Sequence, residues 1–228
     1  MKRKNIKHWG LFITLQLITL SLFAQGPNNT GTYYQSANGL KGKALKTAMF
    51  KIIRTHKELS YKALWTAFKT TDMREDGKVW DMYSCTTNFR FGTDQAGSYK
   101  KEGDVYNREH SFPKSWFNED RPMYTDLVHL VPTDGKVNGM RSNYPFGENK
   151  GEKYISNKGF SKLGKCTYPG YSGIVFEPND LYKGDFARIY FYMATAYEDK
   201  IANWNAEEFT PIASHDSYKP YKDWQMNM

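Results

Sequence analysis

The stretch from Asn107 to Asn143 constrains this chain most, because it sets two extended pieces, a loop and a helix start in close succession. DVYNREHS at 104–111 and DLVHLVP at 126–132 read as short strands. A loop containing Pro113, Trp116 and Pro122 separates them. Asp134 then stands where a helix N-cap belongs, since its carboxylate can accept backbone N–H groups that the first helical turn leaves unpaired. The helix it opens, through DGKVNGMRSN, is short, and its two glycines weaken it. Strand, loop, strand and short helix place an acid, Glu109, an imidazole, His110, and an amide, Asn138, in one supersecondary unit.

Around this unit the spacing of apolar residues becomes helical. From Ala44 to His56, the residues Leu45, Ala48, Met49, Ile52 and Ile53 predict an amphipathic helix with a cationic outer face. Residues 60–70 follow as a second helix capped by Ser60, with Tyr61, Leu64, Trp65 and Phe68 on one core-facing stripe. VWDMYS at 79–84 alternates as a strand does, and GIVFEP at 173–178 is another extended piece. The polar, Gly- and Lys-rich residues 147–173 read as a surface loop. The longest helix is expected over Asp180 to Asp199, with Phe186, Ala187, Tyr190, Phe191, Ala194 and Tyr197 as its apolar stripe. The predicted class is α+β, one mixed domain over 44–228 with a central ββα unit flanked by helices, after an irregular segment at 25–43.

Residues 1–24 have the layout of a signal peptide. Lys2, Arg3, Lys4 and Lys7 precede an apolar run from Leu11 to Phe23, and small Ala24 stands at the cleavage point. That run is too short to cross a ~30 Å hydrocarbon core comfortably. The mature chain is expected to be secreted or periplasmic, monomeric, and without stable membrane association. Removing the segment takes the formal net charge from +8 to +4, so half of the basicity belongs to targeting. The remainder favours a polyanionic partner only weakly. Cys85 and Cys166 are too few for a zinc site of Cys pairs; in an exported chain they form either one disulfide or two buried thiols.

Each piece of the central unit is a weak signal alone, but together they are specific. Glu109 and His110 in REHSFP, the strand DLVHLVP, and Asn138 in VNGMRSN, six residues after Pro132, resemble the endonuclease I family of periplasmic and secreted nucleases. The resemblance continues through FEPNDLYKGDFARIYFYMATAYED at 176–199 and covers roughly residues 44–222. It implies a ββα-metal site related to that of His-Asn-His nucleases, with His110 as general base, Glu109 and Asn138 as metal ligands, and products with 5′-phosphate ends. The residue chemistry agrees. Phosphodiester hydrolysis needs an activated water, neutralised phosphoryl oxygens and help for the departing alkoxide. An imidazole can take a proton near neutral pH, and Glu109 and Asn138 offer hard oxygen ligands for one Mg²⁺, Ca²⁺ or Mn²⁺ ion. Neighbours in a regular strand point to opposite faces, so Glu109 and His110 can share a site only where the strand ends or bulges, and local irregularity is expected there.

Other residues carry less. Arg141, nearly one turn after Asn138, is placed either to meet the scissile phosphate as a catalytic residue or to form a structural ion pair. His129 reads as a supporting or structural histidine, Arg188 as structural, and His56 and His215 as structural or solvated. The Lys-rich loop at 147–165, interleaved with Tyr154 and Phe160 and followed by Tyr168, either grips a phosphate backbone and stacks bases or is simply solvated. Relatives in the resembled family continue into a further segment with an Asn-Arg-Asn-Pro run, whereas this sequence reaches Met228 without it and leaves Trp224 no evident place to bury. A fragment and a lineage without that tail both fit. The expected function is an exported, metal-dependent, largely sequence-non-specific endonuclease acting on DNA, with RNA as a second substrate. Its rivals are a non-catalytic exported nucleic-acid-binding protein and a phosphodiesterase of small substrates.

Overall fold

The computed structural model describes residues 31–204, apart from residues 87 and 170. The predicted signal peptide, His215 and Trp224 lie outside the described residues. The chain divides after Gly39. Before that point the described residues hold one 3-10 turn, Gln35–Ala37.

The unit that begins at Leu40 is mixed α+β, as expected. In chain order it contains α1 (Gly42–Ile53), α2 (Leu64–Thr71), β1 (Tyr106–His110), β2 (Leu130–Asp134), α3 (Gly135–Arg141), β3 (Tyr154–Ile155), β4 (Lys162–Lys165), β5 (Ile174–Glu177) and α4 (Asp180–Ala196). Ser60 caps a turn rather than the second helix: its hydroxyl accepts from the Ala63 N–H at 3.2 Å, and α2 starts only at Leu64.

β1 and β2 form an antiparallel hairpin in register from Tyr106↔Asp134 to His110↔Leu130. β2 begins four residues later than its apolar run suggests, because Asp126 folds the residues before it into a turn. The Asp126 carboxylate accepts from the Val128 N–H at 3.0 Å, and its carbonyl accepts from the His129 N–H. Asp134 ends β2 and caps α3, with Oδ1 accepting from Lys136 N at 2.8 Å and Val137 N at 3.0 Å. The two glycines of α3 have a packing reason: a Cβ at Gly135 would lie 2.9 Å from Cδ1 of Tyr99, and one at Gly139 only 2.2 Å from its hydroxyl. A strong helix former in either position would push Tyr99 away.

Two further expectations fail. Residues 79–84 alternate in burial, with Val79, Asp81 and Tyr83 inward, yet they form no strand. The Asp81 carboxylate takes the N–H groups of Tyr83 and Ser84 at 2.7 and 3.2 Å, so the backbone bonds to a side chain instead of a ladder. Residues 147–173 are not simply a loop, since they contain β3 and β4, which join β5 in a three-stranded antiparallel sheet. Leu163 faces Phe176 across that sheet, and Asn149 secures its edge by donating to the Lys162 and Val175 carbonyls. A Lys- and Gly-rich composition concealed the alternation.

α4 closes the core over both sheets. Phe186, Tyr190, Met193 and Tyr197 are buried, but Phe191 is 51% exposed. At ~100° per residue, Phe191 sits about 140° around the helix from Phe186, outside the stripe. The high aromatic content mostly fills this core, where Tyr83, Phe146, Phe176, Phe186 and Tyr190 pack together; the Tyr83–Phe176 and Phe146–Phe186 ring centres are each 4.7 Å apart. Thr47 ties α1 to the end of α4 through Glu198. Cys85 and Cys166 are both free thiols, bonded to the Asn157 and Tyr168 carbonyls respectively. Among the described residues no helix is long and apolar enough to cross a membrane.

Candidate functional site

β1 sorts its side chains by alternation onto two faces. Asn107 and Glu109 turn toward α3, with the Asn107 amide near Gly135 and Glu109 bonded to Arg141. Tyr106, Arg108 and His110 turn toward α2 and the residues before it, against Trp65 and Tyr61. The expected irregularity takes one form and not the other. The strand ends at His110, but its pairing is regular to that point, and no bulge brings the two side chains to one face.

On the α3 face, Glu109 is 4% exposed and Arg141 is fully buried. Oε1 of Glu109 accepts from Nη1 of Arg141 at 2.7 Å and from the Tyr83 hydroxyl at 3.0 Å. Arg141 also donates to the carbonyls of His110 (2.9 Å), Ser111 (2.6 Å) and Tyr144 (3.1 Å). Its guanidinium is therefore committed to protein acceptors at the end of β1. Arg141 thus makes an ion pair with Glu109, one of the two placements considered for it. Burial pushes the Glu109 carboxyl upward, against the opposing pull of Arg141 and the hydrogen bonds from Tyr83 and Arg141. Asn138 lies one turn before Arg141, on the same side of α3. It is partly exposed, and its amide bonds to no other described residue.

The shape of this face depends on Asp81. Its Oδ2 accepts from the Asp134 N–H at 2.9 Å while Oδ1 holds Tyr83, so one carboxylate joins the start of α3 to the tyrosine that binds Glu109. Burial, reinforced by the charge of Asp134, drives the Asp81 pKa up to about 8 against its three backbone hydrogen bonds.

On the other face His110 sits among rings. Tyr124 stacks on it with centres 5.1 Å apart, and Tyr61 at 6.1 Å; Phe117 and His129 complete the surround at 6.3 and 5.5 Å. Nε2 lies 3.1 Å from the Tyr124 carbonyl. A carbonyl only accepts, so this partner assigns the proton to Nε2 and leaves the lone pair on Nδ1. Burial, with repulsion from His129, Lys114 and Arg108, lowers the His110 pKa to about 3, and the Tyr124 bond only partly opposes it. The ring is neutral near pH 7. His129 is buried with Nε2 2.7 Å from the Met123 carbonyl.

The structure thus joins Glu109 to Arg141, carries Asn138 three residues earlier on α3, and sets His110 on the other face of β1, at the strand end. Arg188 pairs with Asp185 at the surface, and His56 approaches Asp126 at 3.9 Å. Tyr154 donates to Glu102, and Phe160 packs on Tyr182, so both have partners inside the fold. Sequence reasoning missed Tyr83, Asp81 and Tyr124. Tyr124 acts through its backbone carbonyl, which leaves no mark in a sequence. Tyr61 and Trp65, read as core more than as a ligand platform, pack against the Leu64–Phe68–Leu130 cluster while only partly buried, and they also hold Arg108.

The donor set suits a hard cation. Among the described residues no three His, Cys, Asp or Glu side chains converge as a ligand group, so an ion here would rest on the Glu109 carboxylate and the Asn138 amide oxygen. Two protein ligands with the remaining positions open to water and phosphate is the habit of Mg²⁺.

An α+β frame whose buried polar residues gather on a ββα unit is the class of protein defined so far. The endonuclease I family model matches residues 41–228, and the chain belongs to the endonuclease I family. It is 39% identical over 172 residues to an extracellular ribonuclease of Bacillus amyloliquefaciens, covering 75% of this chain and 55% of that protein. With the extracellular ribonuclease of Bacillus subtilis (strain 168) it shares 38% over 189 residues, 81% of this chain and 60% of the other. An Endonuclease-1 of Buchnera aphidicola subsp. Baizongia pistaciae is 37% identical over 79 residues, 34% of this chain and 30% of that one. The chain therefore spans 55 to 60% of the length of the two ribonucleases.

Proposed function

We propose that this chain is an exported, divalent-metal-dependent endonuclease of low sequence preference that hydrolyses the phosphodiester bonds of DNA, with RNA as a further substrate, leaving 5′-phosphate ends. Family membership and the nuclease names of its relatives support the reaction class. The word extracellular in two of those names, with the signal-like residues 1–24, supports export. The observation that carries the metal is Glu109 itself, a buried carboxylate pushed upward in pKa although Arg141 and Tyr83 already bind it. Such a group gains from a second cation, and the Asn138 amide, on the helix that carries Arg141, has no described hydrogen-bond partner.

In this reading Glu109 and Asn138 hold one Mg²⁺, Ca²⁺ or Mn²⁺ ion, which when bound neutralises charge on the phosphoryl oxygens and the departing 3′ oxygen. His110 takes the proton of the attacking water on Nδ1, its ring fixed by the Tyr124 carbonyl and the stacked tyrosines. A bound phosphate opposes the cations that depress the imidazole, which raises its basicity when substrate arrives. Arg141 is a positioning residue, pinning the carbonyls of His110 and Ser111 and the Glu109 carboxylate in one arrangement. β1 ends at His110, so a strand of nucleic acid laid across that end can meet both faces.

Plasmid cleavage by the chain starting at Gln25 tests this. Cutting is expected with Mg²⁺ and is expected to cease with EDTA or with His110→Ala. Activity that survives both would overturn the mechanism, and DNA binding without cutting in Mg²⁺ would replace the enzyme with a binding protein.

A further inference from the structure

Arg108 lies two residues before His110 on the same face of β1. Its guanidinium carbon is 3.5 Å from the centre of the Tyr61 ring and 4.3 Å from that of Trp65. Nη1 donates to the Tyr61 carbonyl at 2.6 Å. Among the described residues no carboxylate pairs with this cation, and no acceptor takes Nε or Nη2. Buried cations elsewhere are handled differently: Arg141 pairs with Glu109, and Lys183 with Glu177 and Asp180. Arg108 is thus oriented by two rings and one hydrogen bond while its charge stays uncompensated.

A planar cation held in place with free N–H groups matches an anion that accepts at two points, and phosphate is such an anion. The platform is shared with the proposed base, because the Tyr61 ring against Arg108 also stacks on His110 with an interplanar angle of 19°. Two residues along a strand amount to ~6.6 Å, near the length of one nucleotide of extended backbone. The geometry points to Arg108 as the binding residue for the phosphate adjacent to the scissile one in a nucleic-acid strand. Tyr61 and Trp65 are the clamp that holds it ready. This assignment rests on the nuclease reading above and adds to it a residue that grips the polymer rather than the reacting bond.

The test compares the parent chain with Arg108→Met, which keeps an apolar stem against both rings, and Arg108→Lys, which keeps the charge without the planar fork. Cleavage of a fluorogenic single-stranded oligodeoxynucleotide is followed across a salt series with Mg²⁺. Arg108→Met is expected to raise KM about tenfold, with kcat within about twofold, since one charge-assisted contact is lost. The slope of log KM against log salt should become shallower by roughly 0.7, the share of one phosphate on a single strand. Arg108→Lys should restore the slope but only part of KM. Parental KM and slope in Arg108→Met would overturn the assignment. So would a fall in kcat and thermal midpoint at constant KM, the signature of a purely structural clamp. If the parent chain does not cut, the nuclease reading fails, and anisotropy of the same oligonucleotide in EDTA judges Arg108 alone. Tenfold weaker binding with the shallower slope sustains it; equal binding, or none by the parent, removes it.

Discussion

The two faces of β1 handle charge in opposite ways. Toward α3, Glu109 and Arg141 are both sequestered, and their charges are met by each other, by Tyr83 and by three carbonyls. Toward α2, an imidazole is kept neutral among rings, and a lone guanidinium is held by aromatic faces instead of a carboxylate. The difference shows how little sequence adjacency means in a strand. A glutamate next to a histidine would ordinarily raise its pKa, but alternation sends the carboxylate to the far side. Burial, and after it the nearby His129, Lys114 and Arg108, then prevail, and His110 falls to about 3.

The largest effect that could break this division is chemical. His110→Ala should lower plasmid cleavage by ~10²–10⁴-fold, the usual contribution of a positioned base. An active variant would mean that the α2 face is not the basic half of the site. Next comes the ion pair. Arg141→Ala should destabilise the chain by ~3–5 kcal/mol in urea unfolding, because it leaves a buried carboxylate without its cation. Adding Glu109→Ala to Arg141→Ala should cost less than the two single losses combined, and simple additivity would show the pair to be uncoupled.

A smaller, pH-dependent contrast sharpens the picture. The folded pKa of His110 is depressed below that of the unfolded chain, so its contribution is complete above ~6.5 and is lost as pH falls toward about 3. Glu109 is shifted upward, so its contribution has the opposite sense: present at low pH and lost as pH rises through its folded value. His110→Gln should therefore flatten the acid-side loss of stability by up to ~1.4 kcal/mol per pH unit, read from urea midpoints between pH 4 and 7 as a working range of roughly three units. An unchanged slope would show that His110 titrates normally. The smallest effect is a control on α4: Arg188→Ala, at an exposed pair with Asp185, should alter stability by less than ~0.5 kcal/mol.

Much of the frame was legible because it is written in local patterns. The apolar spacing around 44–56 and 180–199, the Asp134 cap and the two extended pieces each depend on a few neighbouring residues, and each has its counterpart in α1, α4, α3 and the β1–β2 hairpin. Three of the differences share one cause. At 79–84, at 126–129 and at Ser60, a side-chain oxygen takes backbone N–H groups and replaces regular structure with a turn. The β3–β4 strands were hidden for another reason, since a short pair whose buried residues are only Leu163 and Gly164 shows little hydrophobic alternation.

Sequence alone determined the supersecondary unit, the identities of Glu109, His110 and Asn138, and the family resemblance, because residue types and their order suffice for these. Only the tertiary structure decided that Arg141 is enclosed rather than open, that Tyr83 and Asp81 support Glu109, and that the Tyr124 carbonyl selects the tautomer of His110. Those outcomes depend on which distant segments meet, on how deeply each charge is removed from water, and on backbone atoms that every residue carries alike.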